Sequence, residues 1–215
     1  MNVAVPLTEE TLLEGTRILA SLDTDLARVV ERFGPPPLWA REPGFPTLLY
    51  IILEQQVSLA SARAAYRRLG EAISPITPSA FLELDDQTLK EIGFSRQKTL
   101  YGRHLARAIL DGQVDLDRLP GLTDGEVRAE LVKLKGIGRW TADIYLMEVL
   151  LRPDIWPTGD LALAVAVQRV KHLENLPTPT QLEELSAPYR PWRAVAARLF
   201  WHNYLSDPIK RTLKR

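Results

Sequence analysis

Apolar positions along this chain recur at three- and four-residue steps and almost nowhere at steps of two. Leu59, Ala62 and Tyr66 share one helical face; Leu100, Leu105 and Ile109 line another; Val195, Leu199 and Trp201 make an apolar stripe near the C-terminus. The residues between these stretches read as helix starts and stops. Asp23 or Asp25 opens a helix that stops at Gly34 and Pro35-Pro36-Pro37. A Leu- and Ile-rich segment follows from Pro46 to Gln56, and Ser58 is placed to cap the next helix. Thr77-Pro78 is a cap with proline at the first helical position, Asp85 starts a short helix ending before Gly93, and Ser95 starts a longer one ending before Gly112. Thr123-x-x-Glu126 is a capping box for a helix reaching Leu134, and Pro191 opens a final helix to about Leu205. Leu161–Val167 alternates alanine with larger residues as a strand would, but its helical neighbours and the acidic cap in front favour a helix. The pattern predicts an all-α fold of about ten short helices, one unit over residues 1–215 made of two helical lobes with a cleft between them.

Composition narrows the chemistry. The chain has 215 residues and no cysteine, which excludes a disulfide framework, a thiolate zinc site, an iron–sulfur cluster and a cysteine nucleophile. His104, His172 and His202 lie far apart in sequence, so no metal site is expected. The N-terminus has no signal-peptide pattern, and Leu161–Val167, the longest apolar run, is far too short to cross a bilayer. The expectation is a cytoplasmic protein with no membrane partner. Net charge is zero, but its distribution is uneven: residues 1–33 hold six acids against three bases, whereas residues 189–215 hold seven Lys/Arg against one Asp. That asymmetry fits a face that grips phosphate, and it fits a solvated basic tail equally well.

The most informative stretch runs from Leu131 to Ala142, Leu-Val-Lys-Leu-Lys-Gly-Ile-Gly-Arg-Trp-Thr-Ala. Two glycines separated by Ile137 let the backbone turn tightly between two helices and let a ligand approach bare amides. Amides at the start of the second helix make a phosphate site, and Lys135 and Arg139 flank it with positive charge.

This string resembles the helix–hairpin–helix of the HhH-GPD DNA glycosylase superfamily, with the motif spanning about residues 124–150. Three further stretches are similar to the DNA-3-methyladenine glycosylase II type: Ile51-Ile-Leu-Glu-Gln-Gln-Val-Ser58, Gly93-Phe-Ser-Arg-Gln-Lys98 and Pro191-Trp-Arg-Ala-Val-Ala196. Together they cover roughly residues 35–206 and match the compact form that lacks an N-terminal β domain. The resemblance implies that Lys135, Gly136, Ile137, Gly138, Arg139 and Thr141 meet the DNA backbone. It implies that Gln56 enters the duplex where a base has left. It makes Asp160, 22 residues past Gly138, the catalytic carboxylate, and it puts Trp140, Trp201 and, more weakly, Tyr50 around the base. The expected partner is double-stranded DNA with a flipped damaged base, bound by a monomer that is nucleoid-associated in a bacterium. No cofactor is implied, although a sodium or potassium ion on the hairpin carbonyls is compatible with the family.

Three positions depart from the family pattern: Lys135 stands for a proline, Gly159 for a second Asp of some relatives, and Ile144 for a base-stacking Tyr. Relatives that also cut the DNA backbone carry a lysine two residues past the second glycine, where this chain has Trp140. The implied reaction is therefore hydrolysis of the N-glycosidic bond of alkylated purines, of 3-methyladenine and 7-methylguanine type, in base excision repair. Deaminated or oxidised bases are an alternative substrate class. A non-catalytic protein that binds DNA structure through the hairpin is an alternative of another kind.

Overall fold

Side chains that accept the first free amides set the helix starts. Thr8, Asp23, Ser58, Thr77, Asp85, Ser95, Thr123, Asp160 and Thr178 each accept a backbone N–H from the helix they precede. In the computed structural model of the chain, residues 3–206 are described, and every regular element among them is helical. The order is α1 (Glu9–Leu22), α2 (Thr24–Phe33), α3 (Phe45–Glu54), α4 (Leu59–Ala72), α5 (Pro78–Glu83), α6 (Asp86–Ile92) and α7 (Arg96–Leu110). After a 3-10 turn at Leu116–Gly121 come α8 (Asp124–Leu131), α9 (Arg139–Glu148), α10 (Leu161–Val170) and α11 (Pro179–Ser186), then a 3-10 turn at Ala187–Tyr189 and α12 (Arg193–Ser206).

The all-α expectation holds, and Leu161–Val167 is helical as preferred. Two helices were not foreseen. The first is α1, with a Thr8–Thr11 capping box over buried Leu12 and Leu19; the second is α11, capped by Thr178 and Gln181. Two boundaries move. The α8 helix stops at Leu131 rather than Leu134, because the descent into the hairpin begins with tighter three-residue bonds, Leu134 N–H to the Leu131 carbonyl and Ile137 N–H to the Leu134 carbonyl. The last helix starts at Arg193 rather than Pro191.

The chain divides into two packed units. In the first, Arg41–Tyr145 with Val3, α3 is the central element. Its Leu48, Leu49, Ile51, Ile52 and Leu53 are fully buried, and it packs on α4 and α7 while α7 packs on α5. In the second, residues 4–40 and 146–206, the helices α1, α2, α10 and α12 pack together around Leu12, Leu19, Leu26, Leu163, Val167, Leu199 and Phe200. The α9 helix carries the chain from the first unit into the second.

The basic balance expected near the C-terminus does not make a basic face on the described part. Arg190 and Arg193 both pair with Asp154, and Arg198 is fully buried. Lys210, Arg211, Lys214 and Arg215 lie outside the described residues. Arg198 instead ties the second unit together. Its guanidinium donates to the carbonyls of Leu38 (2.9 Å), Ala194 (3.1 Å) and Met147 (2.6 Å), and burial pulls its pKa down to about 10 despite the opposing pull of Glu148. Arg198→Met keeps the apolar stem but strands three carbonyls. It is expected to lower stability by about 3–5 kcal/mol, read as a fall in the urea midpoint at unchanged slope.

Candidate active site and nucleic-acid interface

The hairpin turn belongs to the first unit. Gly136 adopts φ +90°, a left-handed conformation that side chains disfavour. The ring of Tyr101 lies flat against it, so that a Cβ added at 136 would sit 2.1 Å from a ring carbon. The Gly136 carbonyl accepts from Gln55 Nε2 at 2.9 Å, and the same nitrogen donates to Thr141 Oγ1 at 2.9 Å. Gly138 differs: it is exposed, its φ is ordinary, and nothing lies within 4 Å of an added Cβ. The Gly138 carbonyl accepts from Ala142 N–H and so starts α9, whose leading amides have no intrahelical acceptor by the geometry of any helix start.

Lys135, Gly138 and Arg139 of the expected DNA-contact set are exposed. So is Gln56, which follows the last turn of α3 with its backbone left-handed at φ +56°. Two members of the set are inside instead. Ile137 is 4% exposed with its amide used on Leu134, and Thr141 is 2% exposed with its hydroxyl held by Gln55. Neither side chain reaches the surface; both build the turn. Trp140 is half-buried on the first turn of α9. Tyr50 is half-buried, stacked on Tyr66 at 4.5 Å with the Arg41 guanidinium 5.1 Å from its ring. Of the hairpin carbonyls, those of Leu134 and Gly136 each accept a protein donor.

One residue that the sequence reading passed over supports the hairpin from beneath. Asp143 is fully buried on α9, 2.5 Å from Arg128 Nε of α8 and 3.6 Å from Arg139 Nε. Burial raises its pKa, and the two guanidinium groups oppose that rise.

The carboxylate belongs to the second unit. Trp156-Pro157-Thr158-Gly159 forms a tight turn in which Gly159 takes φ +88° and Asp160 N–H returns to the Pro157 carbonyl at 3.2 Å. This turn delivers Asp160 to the N-cap of α10, where Oδ1 accepts from Leu163 N–H at 2.6 Å. The indole N–H of Trp201 on α12 donates to the same oxygen at 3.3 Å. The Trp201 ring meets Trp39 edge to face at 6.5 Å, and Trp39 meets His202 at the same distance. Trp39 was missed in the sequence. It is a half-buried tryptophan outside any helix, held at φ +50°, and the three prolines just before it were the available signal that its backbone is fixed.

A family model described as HhH-GPD superfamily base excision DNA repair protein matches residues 49–191. The chain belongs to the HhH-GPD superfamily. Among members, DNA-3-methyladenine glycosylase 1 of Schizosaccharomyces pombe is 27% identical over 191 residues, covering 85% of this chain and 83% of that protein. The YfjP protein of Bacillus subtilis is 28% identical over 188 residues, and the match spans 84% of this chain but just under two thirds, 66%, of YfjP. The solved structure of the S. pombe 3-methyladenine DNA glycosylase Mag1 in complex with abasic DNA superposes with a TM-score of 0.83 at 26% identity, over 87% of this chain and 95% of that one. Among the described residues, no group of three or more His, Asp or Glu could hold a metal ion. No described helix is long and apolar enough to cross a membrane.

The two HhH-GPD glycines should separate cleanly on mutation. Gly138→Ala is expected to fold normally, within about 0.5 kcal/mol of the parent, and to weaken binding to damaged and undamaged duplex alike by about fivefold, the value of about one hydrogen bond. Gly136→Ala drives a methyl group into Tyr101 and is expected to cost at least about 3 kcal/mol of stability. Thermal melts and duplex titrations at two salt concentrations check both.

Proposed function

We propose that this chain is a monofunctional DNA glycosylase that hydrolyses the N-glycosidic bond of alkylated purines, of 3-methyladenine and 7-methylguanine type, in base excision repair. The observation that carries the reading is Asp160, a carboxylate fixed at a helix N-terminus and held by an indole N–H. Mag1, which this fold superposes on, is a 3-methyladenine DNA glycosylase bound to abasic DNA, the state left by such a reaction.

Breaking the C1′–N bond gives the electron pair to the leaving base and leaves an oxocarbenium-like sugar. A fixed carboxylate at that sugar stabilises the developing positive charge without reorganising. It also orients the water whose oxygen bonds to C1′ and takes up that water's proton. An alkyl group on N3 or N7 makes the base cationic and a good leaving group, so one carboxylate suffices. The target leaves the stack to reach it. Trp201 and Trp39 offer electron-rich ring faces to a cationic base. Helix-start amides with Gly138, Lys135 and Arg139 grip the phosphate backbone, and Gln56 fills the gap in the duplex. Trp140 at the family's lysine position removes the amine a Schiff base needs, and hydrolysis by water calls for no cofactor. The reading makes the protein a monomer acting on cytoplasmic DNA, in a bacterium that of the nucleoid.

Asp160→Asn retains the cap, so stability should change by less than about 1 kcal/mol. Release of free 3-methyladenine from methylated DNA should fall at least about 100-fold. Near-full release by this variant would remove Asp160 from catalysis. Trp39→Leu is expected to slow excision of cationic 7-methylguanine by about 3- to 30-fold, the range of a lost cation–π contact, and to slow excision of a neutral purine less. Borohydride added during turnover should trap no protein–DNA adduct.

A further inference from the structure

The hairpin and the Gln56 turn come from segments some eighty residues apart, yet one side chain joins them. Gln55 is the C-terminal cap of α3 and the residue immediately before Gln56. Its Nε2 carries two hydrogens, and each is used: one on the carbonyl of Gly136 and one on the hydroxyl of Thr141, both at 2.9 Å. Those acceptors stand on either side of Gly138, so the amide spans the turn.

The N-terminal turns of α7 hold the same two places from another direction. Lys98 Nζ donates to the Leu53 carbonyl at 2.6 Å, two residues before Gln55, and burial lowers the pKa of this lysine. Gln97 Nε2 donates at 2.6 Å to the hydroxyl of Tyr101, whose ring covers Gly136. The Gly93–Lys98 stretch, conspicuous in the sequence without a role in the reaction, therefore braces the end of α3 and the hairpin together.

We infer that Gln55 is a positioning residue that locks the register of Gln56 to the phosphate-gripping hairpin, so that holding the backbone and entering the duplex are one rigid event. Gln55 touches neither base nor sugar in this account. It acts through Gln56, and the inference rests on the proposed reading of Gln56 as the residue that enters the duplex. A displacement of about 1 Å at such a residue is enough to cost up to about 100-fold in rate.

The test is a double-mutant cycle on single-turnover excision of 7-methylguanine from a duplex, using the full chain as wild type, Gln55→Met, Gln56→Ala and the double variant. Gln55→Glu, isosteric but lacking the donor nitrogen, runs as a second variant in case Gln55→Met fails to fold, and melting temperatures accompany every protein. Each single change is expected to slow excision by about 10- to 100-fold, with duplex affinity within about threefold, and the double variant should be within about twofold of the slower single one. A merely structural role for Gln55 would lower the rate by the same factor with or without Gln56. Rate losses that multiply in the double variant, or a folded Gln55 variant that excises at the wild-type rate, would overturn the inference. A wild-type rate in Gln56→Ala alone would overturn the reading of Gln56, and the inference with it. Absence of excision by the wild type would overturn the proposed activity itself.

Discussion

The hairpin turn depends on residue 136 having no side chain. With φ at +90° and a tyrosine ring where a Cβ would be, only glycine lets the backbone pass between α8 and α9 at that height. From that close approach the rest of the hairpin's arrangement follows. The Gly136 carbonyl comes within reach of Gln55, Thr141 turns inward to share the same donor, and Ile137 drops into the core. Gly138, Lys135 and Arg139 are left outside. Below the turn, Asp143 binds Arg128 and Arg139 from a fully buried position, which clamps the two helices that flank the hairpin.

In the second unit one oxygen serves two purposes. Asp160 caps α10 as any N-terminal aspartate would, and the cap holds the carboxylate in place. The Trp201 indole meets the same oxygen, so the aromatic wall and the charged group share a fixed geometry. Arg198, one turn before Trp201 on α12, secures that helix and the Leu38 carbonyl beside Trp39. A buried cation with no part in the chemistry thus sets the pair of tryptophans from behind.

Much of this was legible in the sequence, because helix caps and glycine turns leave local signals. Ser58, Thr77, Asp85, Ser95 and Thr123 are caps as their sequence signals, and of Asp23 and Asp25 it is Asp23 that caps α2. The Gly-Ile-Gly string announced a turn, and the helix after Asp160 was preferred over a strand for the right reason. Long-range partnerships leave no such signal. That Gln55 faces Gly136, that Tyr101 covers it, and that Trp39 stands against Trp201 follow from packing between segments far apart in the chain. Burial leaves little signal where a short motif mixes surface and core. The resemblance implies that Ile137 and Thr141 meet the DNA backbone; their side chains are buried, with the Ile137 amide on the Leu134 carbonyl and the Thr141 hydroxyl held by Gln55. The basic balance near the C-terminus fits a phosphate-gripping face and a solvated tail equally well, and the described arginines there are taken up by Asp154 and by backbone carbonyls.

The central claim is that a carboxylate at a helix start, with no amine at the family's lysine position, makes this a base-releasing hydrolase. The most direct measurement is incubation of the wild-type chain with methylated duplex DNA, followed by mass analysis of the small-molecule fraction and of the strands. Free 3-methyladenine or 7-methylguanine is expected, with intact strands bearing abasic sites that break only after added base. Absence of any released purine, or strand scission that accompanies release without added base, would contradict it.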